Sequence, residues 1–208
     1  SISSGFTLTF PSPSAISADP MQTIFSTTGT VTFSRATGDV HAGWFGMVSD
    51  YLGAGTGTDN SAAFNRAVTA TATGGVLRIE NGRYLFTVAP AAIGKSMTIA
   101  ASSLNAYGGS AAILVFRAVA GLDLDFEYQT VRDISIWRET RPVDGTSVSP
   151  AAGTFGNVGV RMGNTYHSVR NRLENVSIGN FDTGLYFASQ DALYNTLSNV
   201  EIRFNNIG

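Results

Sequence analysis

The feature that most constrains this chain is a short phrase that recurs three times toward its C-terminal end. Residues 132–136 (RDISI), 174–178 (ENVSI) and 198–202 (SNVEI) each place an Asp or Asn before a β-branched residue, and Val176 and Val200 lie 24 residues apart. A fixed period of this length is typical of stacked supersecondary units, none of which can bury its apolar face alone. The unit holds two short strands and Asn/Gly turns and has no room for a helix. It therefore predicts one coil of a parallel β-helix.

A second phrase repeats in step with the first. Its glycines are Gly159, Gly184 and Gly208, at intervals of 25 and 24 residues. The first two copies of the first phrase are 42 residues apart, so one coil carries an insert of about eighteen residues (42 minus 24). The insert, residues 139–156, contains two prolines and three glycines, and we expect it to be a loop that stands off the coils.

The polar residues Asp133, Asn175 and Asn199 occupy one equivalent position in the three copies. Stacked coils would place them in a column at intervals of about 4.8 Å. A side-chain ladder that satisfies the backbone of the turns accounts for such a column. Ligand binding by these side chains is the alternative.

Composition limits the class of protein. The chain has 208 residues, enough for one domain with a large core, and only 13% of them are charged. Net charge is −2 and no cluster of Lys or Arg stands out, which argues against a nucleic-acid surface. No apolar run approaches the roughly 20 residues that span a membrane, so membrane insertion is not expected. With no cysteines, disulfides and thiolate metal sites are excluded.

Cofactor and metal signals are also missing from the sequence. His41 and His167 are isolated, with no third ligand at a useful spacing for zinc. No phosphate-cradling glycine loop or cofactor fingerprint is present, so no cofactor is expected. The chain opens at Ser1 without Met and stops at Gly208, where a further strand is about to begin; we interpret it as a piece of a longer protein.

One amphipathic helix is predicted over residues 61–71. Its apolar residues recur at helical spacing, Asp59 or either of the two following residues supplies an N-cap oxygen, and two glycines end the run. We expect this helix to lie over the open end of the coils, with Phe64 and Val68 buried beneath it. Trp44 and Phe45 are expected to fill the core under the helix, although aromatic rings can also stack on sugars.

Short alternating or β-branched runs predict strands elsewhere, at residues 6–10, 23–25, 31–33, 76–80, 83–88, 96–99, 113–116 and 122–126. The Asn81-Gly82 dipeptide between two of them favours a hairpin by local rules, although in a β-helix it can turn a corner instead. We divide the chain into a β-rich lead-in, residues 1–43, and a capping region with the first coils, residues 44–208.

Three motifs give the sequence a family resemblance. Residues 44–47 (WFGM), 58–64 (TDNSAAF) and 74–84 (GGVLRIENGRY) resemble, in this order, the N-terminal signature of the pectate-lyase-like right-handed β-helix superfamily. Residues 95–99 and 130–136 are similar to its first coils. The chain departs from the signature at residues 49–53, where Gly-Asp-Gly is usual, and at Asn60, where a second Asp is usual.

The resemblance implies an all-β fold: a single-stranded right-handed parallel β-helix with an N-terminal capping α-helix and a short β-rich lead-in. Its Trp-Phe-Gly form is frequent in bacteriophage tailspikes and tail fibres. It therefore implies a virion tail protein, joined to other tail proteins, whose homotrimer recognises and can depolymerise a bacterial cell-surface polysaccharide. The alternatives are a secreted, extracellular polysaccharide lyase or glycoside hydrolase, and a non-catalytic β-helical surface or structural protein.

The one stretch with possible catalytic chemistry is acidic. If residues 122–128 alternate as a strand, Asp123, Asp125 and Glu127 share one face at intervals of about 6.7 Å, which suits a glycosidase pair. The alternative is an acidic solvent face neutralised by Arg117, Arg132 or Arg138. We expect these acids not to be the catalytic group of the parent protein.

Asp50 and Asp59 are two further acidic residues that could suggest a metal site. Hard cations need six or more oxygen ligands, and the sequence near Asp50 and Asp59 does not supply them. Capping of the helix by Asp59 and a turn at Asp50 explain both residues.

Overall fold

The computed structural model describes residues 3–26, 29–53, 55–102, 112–140, 157–163, 168–188 and 192–203. Most of the insert (residues 141–156), His167 and the closing residues 204–208 lie outside this range, so the predictions made for them stay predictions.

The described residues form a predominantly β structure with one α-helix, α1 (Ser61–Ala70). Two short 3-10 turns precede it, at Pro13–Ala15 and Ala42–Phe45. The strands are β1 (Thr7–Phe10), β2 (Thr30–Phe33), β3 (Asp39–His41), β4 (Val76–Ile79), β5 (Gly82–Phe86), β6 (Thr98–Ala101), β7 (Ala112–Phe116), β8 (Leu122–Leu124), β9 (Thr130–Arg132), β10 (Ile134–Arg138), β11 (Val158–Met162), β12 (Arg172–Gly179), β13 (Thr183–Phe187) and β14 (Thr196–Arg203).

All pairings between these strands are parallel. The first sheet consists of β1 and β2. A second sheet is formed by β8, β11 and β13, and the other nine strands form a third. β4 lies between β3 and β6, whereas β5 pairs with β7, so the Asn81-Gly82 turn joins two strands that do not pair with each other. The hairpin alternative for this turn is therefore wrong.

The repeats in the sequence are hydrogen-bonded neighbours in the structure. Val176 in β12 lies opposite Val200 in β14, and Val158 in β11 lies opposite Thr183 in β13. The 42-residue interval joins β10 to β12 in the same way, at Ser135 and Ser177. One period of the sequence therefore leads from a residue to its partner on the adjacent strand of the same sheet.

A polar ladder marks a bend in the longest strands. β12 pairs through its first half with β9 and through its second half with β10, and β9 and β10 are separated only by Asp133. Asp133, Asn175 and Asn199 all have left-handed backbones, with φ of 62°, 54° and 51°. The Asn175 amide donates to Asp133 Oδ1 at 2.9 Å and the Asn199 amide donates to Asn175 Oδ1 at 2.9 Å. The ladder thus divides the nine-stranded sheet into two arms. The first arm consists of β3, β4, β6, β9 and the first halves of β12 and β14, and the second arm consists of β5, β7, β10 and the second halves of β12 and β14.

A second polar ladder lies where the chain enters the first arm. Asn171 Oδ1 accepts from the backbone N–H of Gln129 at 2.8 Å, and Asn195 Oδ1 accepts from that of Asn171 at 2.9 Å. Gln129 and Asn171 are buried, so these bonds satisfy backbone groups that water cannot reach. The three residues are separated by 42 and 24 positions, the same intervals as the first ladder.

The core is built from columns of like side chains, one from each strand. In the first arm the column consists of Val40, Leu77, Ile99, Val131 and Leu173, all at most 1% exposed. An aromatic column continues from the helix into the core. Phe64 meets Phe86 edge-on at 5.7 Å, Phe86 stacks on Phe116 at 4.8 Å, and Phe181 follows at 6.1 Å.

The helix closes this aromatic column. Phe64 is fully buried, whereas Val68 is half-buried and packs against the same cluster. Asp59 accepts from the backbone N–H of Ser61 at 3.1 Å, which satisfies a donor of the first turn, although Asn60 is the residue at the N-cap position. Burial opposes ionisation of Asp59, but hydrogen bonds from Ser61 and Thr87 outweigh it and lower the pKa of this carboxyl.

Candidate functional site

The acidic stretch does not form the surface that its alternation predicted. β8 ends at Leu124, and the chain then bends toward Tyr128, whose φ is 55°. Asp123 and Asp125 are only 3% and 5% exposed, and Glu127 is half-buried. The prediction of one solvent-exposed acidic face is therefore wrong, because the strand is too short to keep the three side chains in register.

The cation that neutralises Asp123 is Arg161, not one of the three arginines expected from the sequence. Arg161 is itself buried, and its Nε donates to Asp123 Oδ1 at 3.0 Å while Nη2 donates to Oδ2. A buried bidentate pair of this kind needs both partners, since removal of either leaves an uncompensated charge. Asp123 thus holds β8 to β11 and does not line an open surface.

An open groove of about 370 Å³ lies on the second arm, on the outer face of β5, β7, β10, β12 and β14. One outward row, in register across the five strands, contributes Arg83, Ile113, Ser135, Ser177 and Glu201. At about 4.8 Å between strands, five strands extend over about 19 Å. The groove is therefore long enough for several sugar units in a chain.

Trp137 is the principal aromatic side chain of the groove, on the row beside the first. It lies opposite Gly179 of the next strand, and a Cβ at Gly179 would come within 2.9–3.0 Å of three carbons of its ring. The indole therefore rests directly on the glycine backbone, and any larger residue would displace it. Trp137 is only half-buried, so part of the ring faces the groove.

A carboxylate with four donors closes one end of the groove. Glu139 accepts from Arg117 Nε at 2.6 Å and Nη2 at 3.2 Å, from the Tyr51 hydroxyl at 2.9 Å and from the Gly55 backbone at 3.1 Å. Hydrogen bonds from Arg117 are the main reason that the pKa of Glu139 lies below its ordinary value, although partial burial opposes the shift. Glu139 thus stays ionised and fixes the loop around Tyr51 to the sheet.

Tyr51, whose hydroxyl donates to Glu139, forms a side wall of the groove. Its ring packs on the buried Leu85 and Val115, and the Arg83 guanidinium lies 5.2 Å from the ring centroid. Burial, together with the hydrogen bond to Glu139, raises the pKa of the Tyr51 hydroxyl. The hydroxyl is consequently a neutral donor at ordinary pH.

The remaining charges of the groove are mostly paired. Glu201 pairs with Arg203, and Arg138 lies 3.9 Å from Asp182. In the described part of the chain, Arg83 has no carboxylate partner. The groove thus offers an aromatic face, the half-buried Ser177 hydroxyl and a cation, which suits hydrogen bonding and stacking with sugars better than proton transfer.

Trp44, Phe45 and Asp50, which were singled out in the sequence, do not line this groove. Trp44 and Phe45 are 3% and 1% exposed; the Trp44 Nε1 donates to Asp19 O at 3.1 Å, and neither ring is available to a sugar. Asp50 accepts from the backbone and hydroxyl of Thr58, which lower its pKa. Within the described residues, no group of three His or acidic side chains is arranged to hold a metal ion.

Sequence reasoning missed Trp137 although a signal was present. Trp137 and Gly179 directly follow two copies of the repeated phrase, 42 residues apart, and a large aromatic residue aligned with a glycine indicates direct packing. Tyr51 and Glu139 carried no such signal, because they are 88 residues apart and lie outside the repeats.

The chain has no significant match among protein-family models, curated proteins or solved structures. No helix in the described ranges has the length and apolar character needed to cross a membrane.

Proposed function

We propose that this chain binds an extended bacterial surface polysaccharide along the groove beside Trp137. The observation that carries the proposal is the half-exposed indole on Gly179, which lies in a groove lined by five neighbouring parallel strands, four of which contribute polar side chains. Aromatic rings with hydrogen-bonding edges provide large contact area at low entropic cost. A groove that runs across the strands accepts a chain of sugars better than a compact ligand.

We propose, further, that the strands are coils of a right-handed parallel β-helix. Parallel pairing throughout, registers of 24 and 25 residues, and two polar ladders that share intervals of 42 and 24 residues support this arrangement. In such a stack every coil presents equivalent positions to the outside, so a binding surface can extend over many coils.

The place of the protein is proposed from the family resemblance of its N-terminal motifs. We propose that it is a homotrimeric part of a phage tailspike or tail fibre. It belongs to the virion tail and recognises the bacterial surface polysaccharide from outside the cell. Binding rather than cleavage is the role of the groove described above, since Glu139 is held ionised by Arg117 and Glu201 is paired with Arg203.

Binding to a panel of purified bacterial capsular and O-antigen polysaccharides, measured by isothermal titration calorimetry, tests the proposal. We expect at least one panel member to bind. Trp137→Ala should weaken that binding at least tenfold, because buried aromatic anchors typically contribute more than 1.4 kcal/mol. Gly179→Ala should weaken it in the same direction, since the new methyl group displaces the indole without removing it.

The matched control is Phe6→Ala. It removes an aromatic ring that is 68% exposed but directly precedes β1 and does not line the groove. It should leave affinity unchanged. Equal affinities of wild type and Trp137→Ala for every polysaccharide that binds would contradict the proposal.

A further inference from the structure

Three bulky residues share an unusual backbone conformation on the outside of the first arm. Tyr128, Arg170 and Tyr194 have φ of 55°, 57° and 58°, and they are separated by 42 and 24 positions, as the ladder residues are. A left-handed backbone disfavours residues other than Gly, Asn and Asp. The ladder column of the same coils obeys this preference, with Asp133 and two asparagines.

The three side chains form a stack that faces solvent. The Arg170 guanidinium lies 5.6 Å from the Tyr128 ring centroid and 6.0 Å from that of Tyr194, and its Nη1 donates to the Tyr128 hydroxyl at 2.8 Å. Tyr128 is 51% exposed and Tyr194 is 77% exposed. The stack buries too little of either ring for core packing to explain why the chain keeps Tyr and Arg in this conformation. Strained residues that persist without a packing reason point to function.

The surface beside the stack is polar and cationic. A depression of about 420 Å³ is lined by the stack and by Thr130, Arg172 and Thr196, which lie in register on β9, β12 and β14. Arg172 lies 3.9 Å from Glu174 in an exposed pair, which screens its charge only weakly. Among the described residues, Arg170 has no carboxylate partner at all.

We propose that this surface, the Tyr-Arg-Tyr patch, is a second saccharide subsite that takes a sugar unit bearing a carboxylate. The planar guanidinium of Arg170, already oriented by two rings, can donate two parallel hydrogen bonds to a carboxylate, and Arg172 adds a second positive charge. The exposed Tyr194 ring offers an apolar face to the pyranose, and the two threonines offer hydroxyls.

The patch lies on the opposite side of the Asp133–Asn175–Asn199 ladder from the groove, and both surfaces use β12 and β14. This inference therefore rests on the proposed function and adds to it a preference for acidic glycans.

Uronate-containing capsular polysaccharides, each tested beside its carboxyl-reduced neutral form, give the required probe. We expect wild type to bind the acidic form of at least one of them at least tenfold more tightly than the reduced form. Arg170→Asn should bring this ratio to within about twofold of unity, and Tyr194→Asn should lower it, because one of the two rings that orient the Arg170 guanidinium is lost. Trp137→Ala, in the groove, should weaken both forms alike and leave the ratio intact.

Asn is chosen because this chain already uses it at left-handed positions. Both substitutions should therefore keep or raise the midpoint of urea unfolding, a result that a merely structural stack would not give. An unchanged ratio in Arg170→Asn and Tyr194→Asn, with wild-type binding intact, would overturn the patch alone. Failure of wild type to bind any polysaccharide in either form would overturn the proposed function and the patch with it.

Discussion

Asn175 is the middle member of the polar ladder, and its replacement by Ala measures what the ladder contributes to stability. The substitution removes two hydrogen bonds of 2.9 Å, one donated to the carboxylate of Asp133 and one accepted from Asn199. It also leaves a residue with φ of 54° without the polar side chain that makes this conformation tolerable.

The magnitude follows from the three contributions. A hydrogen bond to a carboxylate that is 4% exposed is worth about 2 kcal/mol, and the bond to the exposed Asn199 about 0.5 kcal/mol. The left-handed Ala adds about 1 kcal/mol. Asn175→Ala should therefore lower the free energy of unfolding by about 3.5 kcal/mol.

Asn199→Ala is the matched control at the end of the same ladder. It has the same backbone conformation and loses only the exposed bond, so it should cost about 1.5 kcal/mol. Reversible urea unfolding of both variants gives the comparison, provided that the denaturant slope is unchanged. If Asn175→Ala costs no more than Asn199→Ala, the bond to Asp133 does not stabilise the bend and this reasoning is refuted.

Three further changes test the core, the buried ion pair and the tether of the groove. Phe64→Ala should lower the free energy of unfolding by about 3–5 kcal/mol, because a fully buried ring leaves a cavity between the helix and Phe86. Asp123→Asn should cost about 3–5 kcal/mol in urea unfolding because it removes the carboxylate that forms the bidentate pair with the buried Arg161, and a double replacement of the pair by apolar residues should recover much of the loss. Glu139→Gln should be less stable than wild type at neutral pH and indistinguishable from it in strong acid. A carboxyl whose folded pKa is lowered contributes stability above the ordinary Glu value of about 4.3, and this contribution is lost as pH falls through the lower folded value.

Each of these changes has a contradicting result. A loss below about 1 kcal/mol for Phe64→Ala would place the helix face in solvent. A neutral Asp123→Asn would mean that Arg161 reaches water, and a stability difference for Glu139→Gln that is constant from pH 7 to strong acid would mean that its carboxylate is not the stabilising group.

Periodicity made much of the fold predictable from the sequence. The helix was predicted over residues 61–71 and lies at Ser61–Ala70, because its apolar spacing and its terminal signals agree. The register of β12 with β14 follows the 24-residue repeat, since equivalent residues of stacked units must become neighbours.

Tertiary contacts outside the repeats were not predictable in this way. Alternation alone predicted a strand through residues 122–128, but the chain turns after Leu124 to enter the first arm. The counter-ion of Asp123 is Arg161, 38 residues away in β11 and close to the insert. This interval does not match the sequence repeat, so periodicity could not predict the pair. A charged run is usually solvated, and here a buried arginine reverses that expectation.

The candidate site shows the same division. Trp137, Gly179 and the Tyr-Arg-Tyr patch all lie at intervals of the repeat, so the sequence contains the information to align them. The wall at Tyr51 depends on a loop that Glu139 fixes by hydrogen bonds, and neither residue belongs to a periodic position.

The emission of Trp137 tests the central claim, a saccharide-binding groove across the parallel strands, most directly. The chain has two tryptophans, and the other, Trp44, is 3% exposed, so Trp44→Phe leaves one reporter in the groove. Titration of this variant with a polysaccharide that binds in calorimetry should shift the Trp137 emission maximum and protect the indole from iodide quenching. The midpoint of the emission change should equal the midpoint of the calorimetric titration. Binding in the calorimeter with no change in emission or quenching would place the saccharide elsewhere and contradict the account.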